Sequence, residues 1–140
     1  MSFFVDANIV IYTATRGPLE AACASVMDAA GAGADAHMST AALEELWHFE
    51  LSERAGKLQG LARTAYSVFT PLLPVTDEVV ARALQLDVRE LGANDRIHAA
   101  TCFENGIDTI VTADAGFDEV RGLRRVDPLD TGAVRRLLRS

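Results

Sequence analysis

Apolar residues in this chain come in short runs separated by longer amphipathic stretches, and that alternation predicts the elements. Phe3-Phe4-Val5 reads as a short strand buried on both faces. Helical text follows over Asn8–Thr13 and Pro18–Ala30, with Pro18 suited to a first helical position because its missing N–H has no partner there. Gly31 and Gly33 break the pattern, and His37-Met38 makes a plausible second strand. Ser39 or Thr40 is placed to cap a helix whose apolar positions are Leu43, Leu46, Trp47 and Phe49. A further amphipathic helix runs from Lys57 to Phe69 and is stopped by Pro71. Leu72 to Val75 reads as a short strand, and its proline assigns it to an edge. Thr76 or Asp77 then caps a helix carrying Val79, Val80, Ala83, Leu84, Leu86 and Leu91, which Gly92 ends. Asn94 or Asp95 opens the next helix, with Ile97, Ala100 and Phe103 inward and Asn105-Gly106 as its stop. Thr109–Thr112 is the clearest strand, Leu123–Val126 the last, and Thr131–Leu138 a terminal helix.

Short apolar strands alternating with helices predict an α/β fold, a parallel sheet covered on both faces. At 140 residues one domain spanning 1–140 is expected, large enough to bury a core. A composition of 49 % hydrophobic and 24 % charged residues is that of an ordinary globular protein. No apolar stretch reaches the length of a membrane helix and the N-terminus lacks the pattern of a signal peptide, so a cytoplasmic location and no membrane partner are expected. Cys23 and Cys102 sit in apolar helical text and read as core thiols.

Open parallel sheets place their sites outside the carboxyl ends of the strands. Acidic residues fall at such places in four distant segments: Asp6 closes the first strand, Asp114 follows Ile110-Val111, and Glu45 and Asp95 lie near the starts of helices. A gathered set of carboxylates is unfavourable unless a cation sits among them, because like charges raise one another's pKa. Convergence would therefore make an oxygen-lined pocket for Mg²⁺ or Mn²⁺, hard cations that take carboxylate and water ligands. Each acid also has a simpler reading: Asp6 and Asp95 as helix caps, Glu45 as a solvated helix residue like Glu44, and Asp114 as a turn residue.

The segments around these acids resemble the motifs of PIN-domain proteins. Phe4-Val5-Asp6-Ala7-Asn8 is similar to the opening motif, a hydrophobic strand ending in Asp-x-Asn. Ser39-Thr40-Ala41-Ala42-Leu43-Glu44-Glu45-Leu46 resembles the second, in a register that selects Glu45 over Glu44. Asp95-Arg96-Ile97-His98-Ala99-Ala100 is similar to the third, and Thr112-Ala113-Asp114-Ala115-Gly116-Phe117 to the fourth. The resemblance covers about residues 3–127, and the size is closest to VapC-type toxins of bacterial toxin–antitoxin pairs. It implies a three-layer α/β/α fold with four to five short parallel strands. It implies Mg²⁺- or Mn²⁺-dependent endoribonuclease activity through a metal-activated water, with Asp6, Glu45, Asp95 and Asp114 as metal-binding and catalytic carboxylates. Asn8 and Thr112 become their polar supports. A VapB-type antitoxin and a homodimer are the implied partners. RNA rather than DNA as substrate comes from the resemblance alone.

Arg96 and His98 are further substrate-contact candidates, weighed against a surface salt bridge and a packed helix histidine respectively. Asp118 reads as surface charge more than as a ligand. Trp47, Phe49 and Phe103 read as core or dimer-face aromatics. Net charge is −7, yet six of the thirteen basic residues fall in the last twenty positions, where they would either guide a polyanion or favour the negative end of a terminal helix. Two other classes compete: a non-catalytic PIN-like module binding RNA or protein, and a phosphoacceptor receiver domain. The receiver needs a lysine after a late strand, whereas the only one is Lys57 in helical text.

Overall fold

The computed structural model describes residues 1–52 and 59–139. Four strands, β1 (Phe3–Val5), β2 (Ala36–His37), β3 (Thr109–Val111) and β4 (Arg124–Val126), form one parallel sheet in the order β2-β1-β3-β4. Helices α1 (Ala7–Thr13), α2 (Glu20–Gly31), α3 (Thr40–Leu51), α4 (Leu61–Phe69), α5 (Asp77–Leu84), α6 (Ala93–Glu104) and α7 (Thr131–Arg139) surround it. β1 and β3 are buried at every position, as strands covered on both faces must be. Phe3, Phe4, Val5, Ile110 and Val111 pack with Ile9, Met38, Leu46 and Phe117 into the main core. Cys23 and Cys102 are buried there as free thiols, and burial pushes them up to about 11 and about 12.

The chain leaves β1 toward β2 on one side and reaches β4 from β3 on the other, so the strand order reverses between β1 and β3. That reversal opens a crevice at the carboxyl edge of the sheet. Phe4 pairs with Ile110 and Val5 with Val111, which sets Asp6 beside Thr112 just past the strand ends. The Asp6 N–H continues the ladder by donating to the Val111 carbonyl at 3.1 Å.

Several expected boundaries shift for identifiable reasons. Leu72 to Val75 is not a strand; it makes a single bridge, Ser39 to Leu73, beside the end of β2. Pro71 and Pro74 flank Leu73 and have no N–H with which to extend a ladder. Pro18 lies in a turn, and α2 starts only at Glu20. The helix expected to reach Leu91 stops at Leu84, because the backbone beyond it turns its carbonyls onto Arg96. α6 begins at Ala93 with Gly92 at the cap position, so Asp95 is a first-turn residue and not the cap. Of the helix expected from Lys57, the first two residues lie outside the described residues.

Candidate functional site

The crevice is built around Asp6. It occupies the cap position of α1, but its side chain makes no capping bond. Instead Asp6 Oδ2 accepts from Thr112 Oγ1 at 2.8 Å and from Asn8 Nδ2 at 3.4 Å. Thr112 Oγ1 in turn accepts from Asn8 Nδ2 at 3.2 Å and from the Asp114 N–H at 3.1 Å. One hydroxyl thus ties the end of β1 to the loop after β3. Both supports expected from the sequence, Asn8 and Thr112, are here; the cap-only reading of Asp6 is not.

Asp114 serves two ends. Its Oδ1 accepts from the Gly116 N–H at 2.8 Å, capping a short 3-10 helix over Ala115–Glu119, and its carboxyl also meets Asp95. Asp95 comes from the first turn of α6, where the positive end of the helix dipole favours an acid. Glu45 projects from α3, which Ser39 caps by accepting the Ala42 N–H at 3.0 Å. Glu45 Oε2 accepts from Asn94 Nδ2 and faces His98 Nε2 at 3.4 Å, whereas Glu44 points to solvent. The register that selects Glu45 is the one the fold uses.

Electrostatics tie the four acids into one cluster. Burial raises Asp6 above the ordinary carboxylate range, with His98 and the Thr112 hydroxyl pulling back and Glu45 adding to the rise. Asp95 is pushed up to about 7 by burial first, then by the charges of Asp6 and Asp114. Burial alone would lower His98, but the hydrogen bond to Glu45 and the charges of Asp6, Glu45 and Asp95 outweigh it and raise the imidazole. Acids raised in this way are poorly matched to their surroundings without a compensating cation. One ligand atom each from Asp6, Glu45 and His98 lies within 4.8 Å of the others, a spread compatible with a single ion. The donor set and the orphaned, buried Asn8 Oδ1 fit a hydrated divalent cation.

Two expected contacts are corrected. Arg96 donates through Nε to Leu91 O, through one terminal nitrogen to Leu86 O and through the other to Val88 O, each at 2.9 Å. Its guanidinium builds the α5–α6 loop, and neither a phosphate contact nor a surface salt bridge describes it. His98 is fully buried, so its ring offers no surface for direct contact with substrate. Asp118 is exposed and holds Arg125 through two bonds of 2.9 and 3.2 Å, outside the cluster. Arg125 also donates to Thr112 O at 3.1 Å and thereby braces the loop after β3.

The PIN domain family model matches residues 3–123. The chain belongs to the PIN-domain family. Comparison with curated protein sequences gives no match. Solved structures share the fold at low identity. VapBC2 from Rickettsia felis bound to a promoter DNA fragment aligns with a TM-score of 0.70 at 16 % identity, over 90 % of this chain and 98 % of that one. FitAcB from Neisseria gonorrhoeae aligns with a TM-score of 0.70 at 19 % identity, over 91 % and 99 %. A toxin–antitoxin complex from Klebsiella pneumoniae aligns with a TM-score of 0.65 at 19 % identity, over 91 % and 98 %. PIN-family membership removes the receiver-domain alternative.

Sequence reasoning missed three further residues that help to hold the acids. Asn94 acts on Glu45 from a segment distant in sequence, the Gly116 N–H acts on Asp114 within one turn, and Arg125 acts through a carbonyl. Asn94 stands beside Asp95 in the chain, which was a usable signal; Arg125 gave none.

Proposed function

We propose that this PIN-domain protein is a Mg²⁺- or Mn²⁺-dependent endoribonuclease, the toxin of a type II toxin–antitoxin pair. The observation that carries the reading is the convergence of Asp6, Glu45, Asp95 and Asp114 at the strand-order reversal, with Asp95 pushed up to about 7. These four carboxylates would hold the cation, which when bound supplies water activation and neutralises charge on a phosphodiester. The chain's own part is positioning. Thr112 and Asn8 fix one oxygen of Asp6, Asn94 and His98 fix Glu45, and the Gly116 N–H fixes Asp114. Three of the acids sit at helix starts, where backbone N–H groups favour negative charge and offset part of their mutual repulsion.

A VapB-type antitoxin and a second copy of the chain are the proposed partners. Trp47, Leu51 and Tyr66 are 54 %, 72 % and 51 % exposed, an apolar strip on α3 and α4 beside a groove of about 500 Å³ lined by Leu43, Trp47, Glu50, Ala62, Arg63 and Tyr66. Such a surface supports a protein partner. Trp47 is thus not a core residue, while Phe103 packs against the core with Arg82 stacked over its ring at 5.2 Å. No described helix is long and apolar enough to cross a membrane, and a cytoplasmic site of action is part of the proposal.

Purified protein should cleave single-stranded RNA with Mg²⁺ or Mn²⁺ and lose the activity in EDTA. Asp6→Ala should abolish cleavage while its circular dichroism stays native. Equal cleavage by Asp6→Ala, or cleavage indifferent to EDTA, rejects the assignment; a folded, metal-binding protein with no turnover would favour the non-catalytic module.

A further inference from the structure

His98 lies one helical turn after Asp95 on α6, so both side chains project from one face toward the crevice. Its ring is fully buried and packs against Phe4 with centroids 5.6 Å apart. Yet Nδ1 has no hydrogen-bond partner, and Nε2 has only the long 3.4 Å approach to Glu45 among the described residues. Buried imidazoles normally have their nitrogens satisfied. This one is under-satisfied, and a ring nitrogen lies within 4.8 Å of a carboxylate oxygen from both Asp6 and Glu45. Metal–ligand bonds of about 2.0–2.2 Å put donors on opposite sides of an ion about 4 Å apart, which matches that spread.

Nitrogen among the donors changes which ion fits. Mg²⁺ keeps oxygen ligands and much of its water, whereas imidazole suits first-row transition ions. We propose that His98 is a direct nitrogen ligand of the site's divalent cation, making a mixed nitrogen–oxygen donor set that prefers Mn²⁺ to Mg²⁺. This rests on the cation reading above and specifies its chemistry. Asp6 and Glu45 supply the oxygen donors, and the Phe4 ring packs against the imidazole.

Electron spin-echo modulation of Mn²⁺ bound to the protein reads the coordination directly. A ¹⁴N signal is expected, converting to the ¹⁵N pattern when histidine alone is ¹⁵N-labelled. His98→Gln should lose it, and calorimetry should show the Mn²⁺-over-Mg²⁺ preference falling on the order of tenfold. The double variant His37→Gln/His48→Gln should keep the signal, which assigns it to His98 even if His98→Gln fails to fold. Bound Mn²⁺ without nitrogen modulation, or a signal lost in the double variant, overturns the proposal and leaves the cation site standing. No calorimetric Mn²⁺ binding at all overturns both.

Discussion

Asp95→Asn should make the metal-free protein more stable while reducing the benefit of the metal. Asp95 is held at about 7, against 3.8 ordinarily, by burial and by the charges of Asp6 and Asp114. That gap corresponds to about 4 kcal/mol at about 1.4 kcal/mol per unit, but the group is only half-buried, and solvent screening leaves about 1–2 kcal/mol. Because the folded value lies above the unfolded one, the stabilisation from keeping the proton is complete below pH 4 and is lost as pH rises through 7. Asp6 and His98 are also raised, so they act with the same sign. At pH 8 in EDTA, Asp95→Asn removes one charge from the cluster and keeps its shape. For 140 residues, 1–2 kcal/mol is about 3–7 °C in Tm, read by thermal unfolding. At pH 4 the advantage should vanish. Saturating Mn²⁺ should raise the Tm of the wild type more than that of the variant. A variant no more stable than wild type at pH 8, or equally stabilised at both pH values, refutes the electrostatic argument.

Three further substitutions test the supports. Thr112→Val keeps the volume but removes the hydroxyl from Asp6 Oδ2, and should weaken metal binding about 10–100-fold by calorimetry with the fold intact. Arg96→Lys cannot reach the carbonyls of Leu86, Val88 and Leu91 together; denaturant unfolding should show a loss of about 2 kcal/mol, with KM for RNA unchanged. Gly116→Ala would put a Cβ 3.1 Å from Asp114 Oδ1 and Leu91 Cδ2 and 3.2 Å from Glu90 O, and should cost about 1–3 kcal/mol in the same assay.

The elements that position the site were legible because their signals are local. The run Phe3-Phe4-Val5 ending in Asp6 needs only apolar patterning to be read, and the structure places Asp6 at the crevice. Glu45 over Glu44 followed from the register of the PIN-like second motif, in which Ser39 precedes the acid by six positions. What failed depended on contacts distant in sequence. Nothing near Arg96 announces that the chain ten residues earlier will curl its carbonyls onto the guanidinium, so the apolar pattern extends α5 too far and leaves Arg96 open to a phosphate contact or a surface salt bridge. Asp95 was a reasonable cap by residue type, but the loop delivers Gly92 to that position and leaves Asp95 free to face Asp114. The Leu72–Val75 strand failed because sheet pairing needs N–H groups that its flanking prolines lack.

Anomalous diffraction from crystals grown with Mn²⁺ measures the central claim directly. A single strong peak among the carboxylates of Asp6, Glu45 and Asp95, absent in crystals of Asp6→Ala, is the predicted result. Density with no peak there at saturating Mn²⁺, or a peak that survives Asp6→Ala, would contradict it.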